Sequence, residues 1–276
     1  MPHALVLLAA GLGRRFGGPK QLVEVGPAGE PLFVLTARAA LAGGFDRVVV
    51  VTRAELRERV EELSAAHLSD AAVEIVLQDA AGPVRERPWG AAHAVVVGAA
   101  NEHDAIGVAN ADDFYGDAAV AALATATAAL GDDEAVVVGY PLGETLSSHG
   151  PVNRALCGVN DAGAVVRLEE CLGLHAVDEA VVDASGRLHD PAALVSMNLL
   201  GLGRGIVRRL AERFERFAPK HLDDVAEMVL PTELAALLDE GAITMRCVRA
   251  GSRWAGLTHR ADVDDLRRAI ATDAAR

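Results

Sequence analysis

Several residues in this chain have the types and spacing needed to handle phosphate. Asp112 and Asp113 stand side by side after an apolar run at 105–110. A hard cation such as Mg2+ takes one or two protein carboxylates and completes its octahedron with phosphate and water, so Asp112 is a candidate metal ligand. Gly11, Gly13, Gly17 and Gly18 directly follow the first apolar run. Glycine lets backbone N–H groups approach a phosphate without interference from a Cβ. Arg14, Arg15 and Lys20 add positive charge to the same loop. Only Lys20 and Lys220 among the 26 basic residues are lysines, so lysine is not the default cation of this composition. Its compact point charge differs from the planar fork of arginine at a crowded phosphate site.

Two familiar phosphate loops do not fit. The dinucleotide fingerprint requires GxGxxG and an acidic residue ending the second strand. Here the third glycine, Gly17, comes one position late and the second strand ends in Thr52-Arg53. The P-loop requires GxxxxGK followed by Ser or Thr. Gly13 to Gly18 has that spacing, but Pro19 separates glycine from Lys20 and Gln21 follows.

The elements that must position these groups alternate along the chain. Strands are expected at 4–9, 47–52, 73–78, 105–110 and 135–139, with helices at 32–42, 54–67, 91–100 and 118–130, the last capped by Asp117. Runs such as Val48-Val49-Val50-Val51 lack polar alternation, as in parallel strands covered by helices on both faces. In such a sheet the glycine loop, Gln78 and Asp112 lie at C-terminal strand ends along one edge, where ligands bind. Beyond about residue 140 the pattern loosens, with strands at 164–168 and 194–200 and helices at 205–217, 222–228 and 232–240. One α/β domain over 1–276 is expected, with a regular half to about 140 and an irregular half beyond.

Composition narrows the field further. The 276 residues are 51% hydrophobic and 24% charged, which is globular. The net charge of −13 argues against nucleic-acid and membrane-surface partners, which require basic fields. Cys157, Cys171 and Cys247 are scattered without CxxC spacing, as in a reducing compartment. The first apolar run is too short to span a bilayer. A cytoplasmic protein is therefore expected, and no sequence feature speaks to oligomeric state.

The stretch Ala9-Ala10-Gly11-Leu12-Gly13-Arg14-Arg15 through Pro19-Lys20 resembles the AAGxGxR…PK signature of sugar-1-phosphate nucleotidyltransferases, the NDP-sugar pyrophosphorylase family. Further blocks carry the resemblance over nearly the whole chain: Pro88-Trp89-Gly90, Asn110-Ala111-Asp112-Asp113-Phe114-Tyr115-Gly116 and Val195-Ser196-Met197-Asn198. It implies a Rossmann-like nucleotidyltransferase (GT-A-like) fold, an α/β architecture with a mostly parallel central sheet flanked by helices. It also implies Arg15 and Lys20 as catalytic cations, and Ala9, Ala10, Gly11, Gly13, Arg14, Gln78 and Gly90 on the nucleotide, with Gly90 admitting the base to the backbone. Gly150, Glu170 and Asn198 are implied at the sugar and Asp112 at Mg2+.

The chain departs from the family in places. Ala91-Ala92 replaces a common Thr-Gly. Leu172 stands where a lysine often holds the sugar phosphate, a task Arg154 could take. Trp254-Ala255-Gly256-Leu257-Thr258 offers no second metal carboxylate, and Asp262 reads as a helix cap. His93 and His149 read as structural, because the implied chemistry needs no histidine base. The expected partners are an NTP, with UTP or dTTP preferred, and a hexose 1-phosphate. The alternatives are a cytidylyltransferase for a polyol or isoprenoid phosphate, a non-catalytic nucleotide-binding regulator and, more distantly, a dehydrogenase.

Overall fold

The computed structural model describes residues 3–13, 16–68, 72–102, 104–147, 149–257 and 260–274. The strands are β1 Ala4–Leu8, β2 Arg47–Thr52, β3 Val73–Leu77, β4 Ile106–Asn110, β5 Asp113–Phe114, β6 Glu134–Pro141, β7 Val152–Val159, β8 Val165–Val177, β9 Ala180–Val182, β10 Leu188–His189, β11 Leu194–Leu202, β12 Thr244–Arg249 and β13 Ala255–Gly256. The helices are α1 Leu32–Gly43, α2 Arg57–His67, α3 Ala91–Gly98, α4 Asp117–Thr127, α5 Arg204–Phe217, α6 Leu230–Asp239 and α7 Asp262–Asp273. Among the described residues no helix is long and apolar enough to cross a membrane.

The sheet is built on a parallel block in the order β4-β1-β2-β3. Its strands are buried on both faces with period two. Leu5, Leu7, Val48 and Val50 enter one core with α1, α2 and α4, while Val6, Val49 and Val51 enter the other with α3, α5 and α6. This is the α/β architecture expected, a central sheet flanked by helices. Antiparallel β11 then joins β4 to β6 and β7, and the β7-β8-β9-β10 meander extends the sheet beyond it. The last helix, α7, packs Leu266 and Ile270 into a third cluster with Phe16, Leu32 and Leu257, tying the C-terminus to the glycine loop.

Two local expectations are corrected. Asp117 does not cap α4: Gly116, at φ +76°, holds the N-cap position, and Asp117 lies in the first turn. A Cβ on Gly116 would sit 2.4 Å from Ser252, so close packing favours glycine there. The segment 222–228 is not helical. Asp224 turns its chain by accepting from the Ala226 N–H at 2.8 Å and contacting His221 Nδ1 at 2.7 Å. Such side-chain bonds compete with helix formation. The carbonyls of His221 and Ala226 are taken by Arg85, and Met228 pairs its backbone with Trp89 and Ala92. The groups that a helix would use are already engaged elsewhere.

Candidate active site

β1 and β4 run side by side, with Leu8 opposite Asn110, and the chain turns after each. Asp112 follows β4, and its Oδ2 forms an ion pair with Lys20 Nζ from the other turn. Lys20 Nζ also donates to the Leu257 carbonyl at 3.0 Å. Asp113 points inward and is buried, accepting from Asn110 Nδ2 at 2.8 Å. Burial, then the neighbouring Asp112 carboxylate, pushes the Asp113 carboxyl up to about 7, against the opposing pull of Lys20, the Asn110 amide and Arg154. Asp112, with its side chain 19% exposed, is the carboxylate that faces the cleft with an open side.

The glycine loop folds on its own backbone. Gly13 adopts φ +58°, and its carbonyl accepts from the N–H groups of Phe16, Gly17 and Gly18. A Cβ at Gly13 would meet the Gly18 oxygen at 1.9 Å, so no other residue fits. Gln21 is buried beneath the loop. Its Nε2 donates to Ala9 O at 2.7 Å and Gly11 O at 3.3 Å, fixing the stretch from which phosphate-binding amides would point. Arg14 and Arg15 lie outside the described residues.

Gln78 and Gly90 are packed together at the turn before α3. Gln78 is buried, and its Nε2 donates to the Gly90 carbonyl at 2.9 Å and contacts His93 Nδ1 at 3.3 Å. It props up the turn before α3 and does not line the main cleft. Gly90, at φ +98°, is approached by protein: a Cβ would lie 2.6 Å from the Met228 oxygen. The face of Gly90 where a side chain would stand is thus occupied by the main chain of Met228. His93 is structural as expected, stacked on Phe214 at 4.0 Å, and burial lowers its pKa to about 4.

Residues from the second half of the chain close around the same cleft, which encloses about 340 Å³. Lys20, Asp112, Glu170 and Asn198 all line it, and Arg154 and Trp254 join them. Asn198 sits in a β-bulge of β11 between Ser196 and Leu200, at φ +60°, a left-handed conformation that asparagine tolerates. Its Nδ2 donates to Asn110 Oδ1 at 3.4 Å, and Tyr115 OH donates to the Met197 carbonyl at 2.9 Å, so the bulge is tied to the Asp112 turn. Arg154 stacks over Trp254 at 5.0 Å and donates to the Thr145 and Asn153 carbonyls. Gly150 does not line the cleft, and His149 beside it pairs with Asp262 at 3.3 Å. Asp262 is the first residue of α7, with Ala261 at the cap position. Where a second metal acid was missed, Gly256 packs so tightly that a Cβ would lie 2.3 Å from the Trp254 ring and 2.8 Å from Asp113.

Sequence reasoning also missed Glu227 and Val229, which enter the cleft from the 221–229 segment. Periodicity misread that segment as a helix, and only its tertiary bonds reveal its path.

Comparison with known proteins bears on this arrangement. The structure of the inositol-1-phosphate CTP transferase from T. maritima superimposes with a TM-score of 0.65 at 15% identity, covering 98% of this chain and 96% of that one. At that identity the likeness speaks to fold alone. The MobA-like NTP transferase domain family model matches residues 5–222. That span holds the glycine loop, the Asp112 turn and the Asn198 bulge, and the chain belongs to the MobA-like NTP transferase family as a nucleotidyltransferase.

Proposed function

We propose that this nucleotidyltransferase couples an NTP to a sugar 1-phosphate, giving an NDP-sugar and pyrophosphate. The observation that supports this reading most is the convergence of Lys20, Asp112, Glu170 and Asn198, from four separate segments, on one cleft beside the ends of β1 and β4. A phosphate oxygen of the acceptor attacks the α-phosphorus of the NTP. The new O–P bond forms as the bond to the bridging oxygen breaks, and pyrophosphate leaves with that electron pair. Nucleophile and leaving group are both anionic, so the protein's contribution is alignment and charge neutralisation.

Lys20 and Arg15 act on the triphosphate and its developing charge. The amides of Gly11 and Gly13 take phosphate oxygens, with Ala9, Ala10 and Arg14 beside them. Gln78 and Gly90 serve the nucleotide side by holding the turn before α3. Glu170 and Asn198 meet the sugar, with Gly150 on the same side of the molecule, and Arg154 is the cation available to its phosphate.

Asp112 suits a hard cation. It is a cleft-facing carboxylate whose charge raises the pKa of the carboxyl next to it, a repulsion that a divalent ion relieves. Asp112 would hold Mg2+ together with triphosphate oxygens, and the bound ion supplies electrostatic neutralisation of the transferring group.

A matrix of single NTPs and phosphate acceptors, followed by pyrophosphate release and thermal shift with Mg2+, tests the reading. One NTP should stabilise the protein, as any ligand of the native state does, and turnover should require a sugar 1-phosphate. NTP stabilisation without pyrophosphate from any acceptor would point instead to a nucleotide-binding regulator. Likeness to the inositol-1-phosphate CTP transferase favours one second reading, CTP with a cyclitol phosphate, which the same matrix distinguishes.

A further inference from the structure

The 218–229 segment leaves α5, crosses the turn before α3 and enters α6. Arg85 holds it down along its length. The guanidinium donates to His221 O at 3.2 Å and Ala226 O at 2.8 Å, and to its own turn at Arg87 O and Pro88 O, while lying 3.8 Å over the Trp89 ring. Met228 then locks the far end, donating to Trp89 O at 2.8 Å and accepting from Ala92 N–H at 3.1 Å. These bonds fix the backbone on either side of residue 227.

The residue so placed is Glu227. It lines the cleft together with Glu170 of β8. Both are exposed, and among the described residues neither carboxylate has a hydrogen bond or ion pair. Glu227 interacts with Arg85 only through its longer-range field. The cleft's cations, Lys20 and Arg154, are engaged with Asp112 and with Thr145 and Asn153. A carboxylate accepts hydrogen bonds and donates none. Two such carboxylates in one cleft, in addition to the Asp112–Asp113 pair, leave a surplus of acceptors that a phosphate cannot satisfy.

Building on the nucleotidyl-transfer reading, we infer that Glu227 is a specificity-determining residue which, with Glu170, reads hydrogen-bond donors of the acceptor other than its phosphate. The acceptor is then a phosphate ester that presents such donors, either adjacent hydroxyls or an ammonium group. The pinned 218–229 segment is the element that sets acceptor choice. Lys20 and Asp112 serve the nucleotide and are independent of that choice.

The test uses the full chain with Mg2+ and whichever of CTP, UTP, dTTP or GTP stabilises it. Four acceptor probes are compared: glucose 1-phosphate, glucosamine 1-phosphate, myo-inositol 1-phosphate and phosphoethanolamine, with methyl phosphate as the donor-free control. Glu227→Gln and Glu227→Ala are expected to raise the acceptor KM tenfold or more while the NTP KM and the NTP-induced thermal shift stay at wild-type values. A larger loss with the two amines assigns the pair to an ammonium, and a larger loss with glucose and inositol phosphates assigns it to hydroxyls. An unchanged acceptor KM in both variants overturns the inference. So does wild-type turnover of methyl phosphate as efficient as that of the best probe, or NTP stabilisation with no turnover of any of the four. Absence of any NTP-induced shift in the wild type would instead defeat the nucleotidyl-transfer reading itself.

Discussion

Replacing Gly90 by alanine probes the unexpected closure of the turn before α3. Gly90 adopts φ +98° and ψ 176°, a region that is essentially restricted to glycine. Forcing alanine into it costs about 1–3 kcal/mol. The new Cβ would also lie 2.6 Å from the Met228 oxygen and 2.7 Å from its nitrogen. Met228 cannot yield without breaking its bonds to Trp89 and Ala92, each worth about 0.5–1.5 kcal/mol. The total is about 2–6 kcal/mol, which for a chain of this size lowers Tm by roughly 3–10 °C. Gly186→Ala is the control: Gly186 has φ +85° but nothing within 4 Å of where the methyl would stand, so only the backbone cost applies. Chemical denaturation of both variants, with limited proteolysis to detect release of 221–229, reads the difference. If Gly90→Ala loses no more stability than Gly186→Ala, the close packing of Met228 on Gly90 is refuted.

Lys20→Ala is expected to lower turnover roughly a hundredfold or more, the usual cost of losing one donor to developing charge. Its ion pair with Asp112 is partly solvated, so unfolding should change by about 1 kcal/mol or less. Wild-type turnover in the purified variant would remove Lys20 from the chemistry. Asp112→Asn should abolish the Mg2+-dependent part of the NTP-induced thermal shift, and an undiminished Mg2+ effect would assign the ion to other ligands. His93 is held neutral, with a folded pKa of about 4 against 6.5 when free. The unfolded chain therefore binds the proton first, so this contribution is complete above pH 6.5 and is lost as pH falls toward 4, by about 2–3 kcal/mol. His93→Phe, which keeps the stack on Phe214, should flatten the stability profile in that window; a profile as steep as wild type would exclude His93 as its source.

Much of this protein could be read from local pattern. Uninterrupted β-branched runs marked β2, and alternation with amphipathic helices implied a sheet covered on both faces, because backbone geometry imposes those periods on any chain. The glycine loop and the Asn110–Gly116 block identified themselves by residue type: only glycine fits at Gly13, and a cleft-facing carboxylate is a poor choice for mere packing. The partners of Gln78 were not legible locally. A polar residue at a strand end looks solvent-facing until Gly90 and His93 are brought against it by the tertiary fold.

What the sequence alone determined is the parallel α/β framework and the candidates for handling phosphate, since periodicity, left-handed glycine positions and charge type are local properties. Only the tertiary structure decided which of those groups share a cleft, that Gly90 is covered by Met228 rather than left open, and that Glu227 lines the same cleft as Glu170. The physical reason lies in 221–229. Its local pattern suits a helix, but its hydrogen bonds run to Arg85, Trp89 and Ala92, more than 120 residues away, and those bonds determine its path.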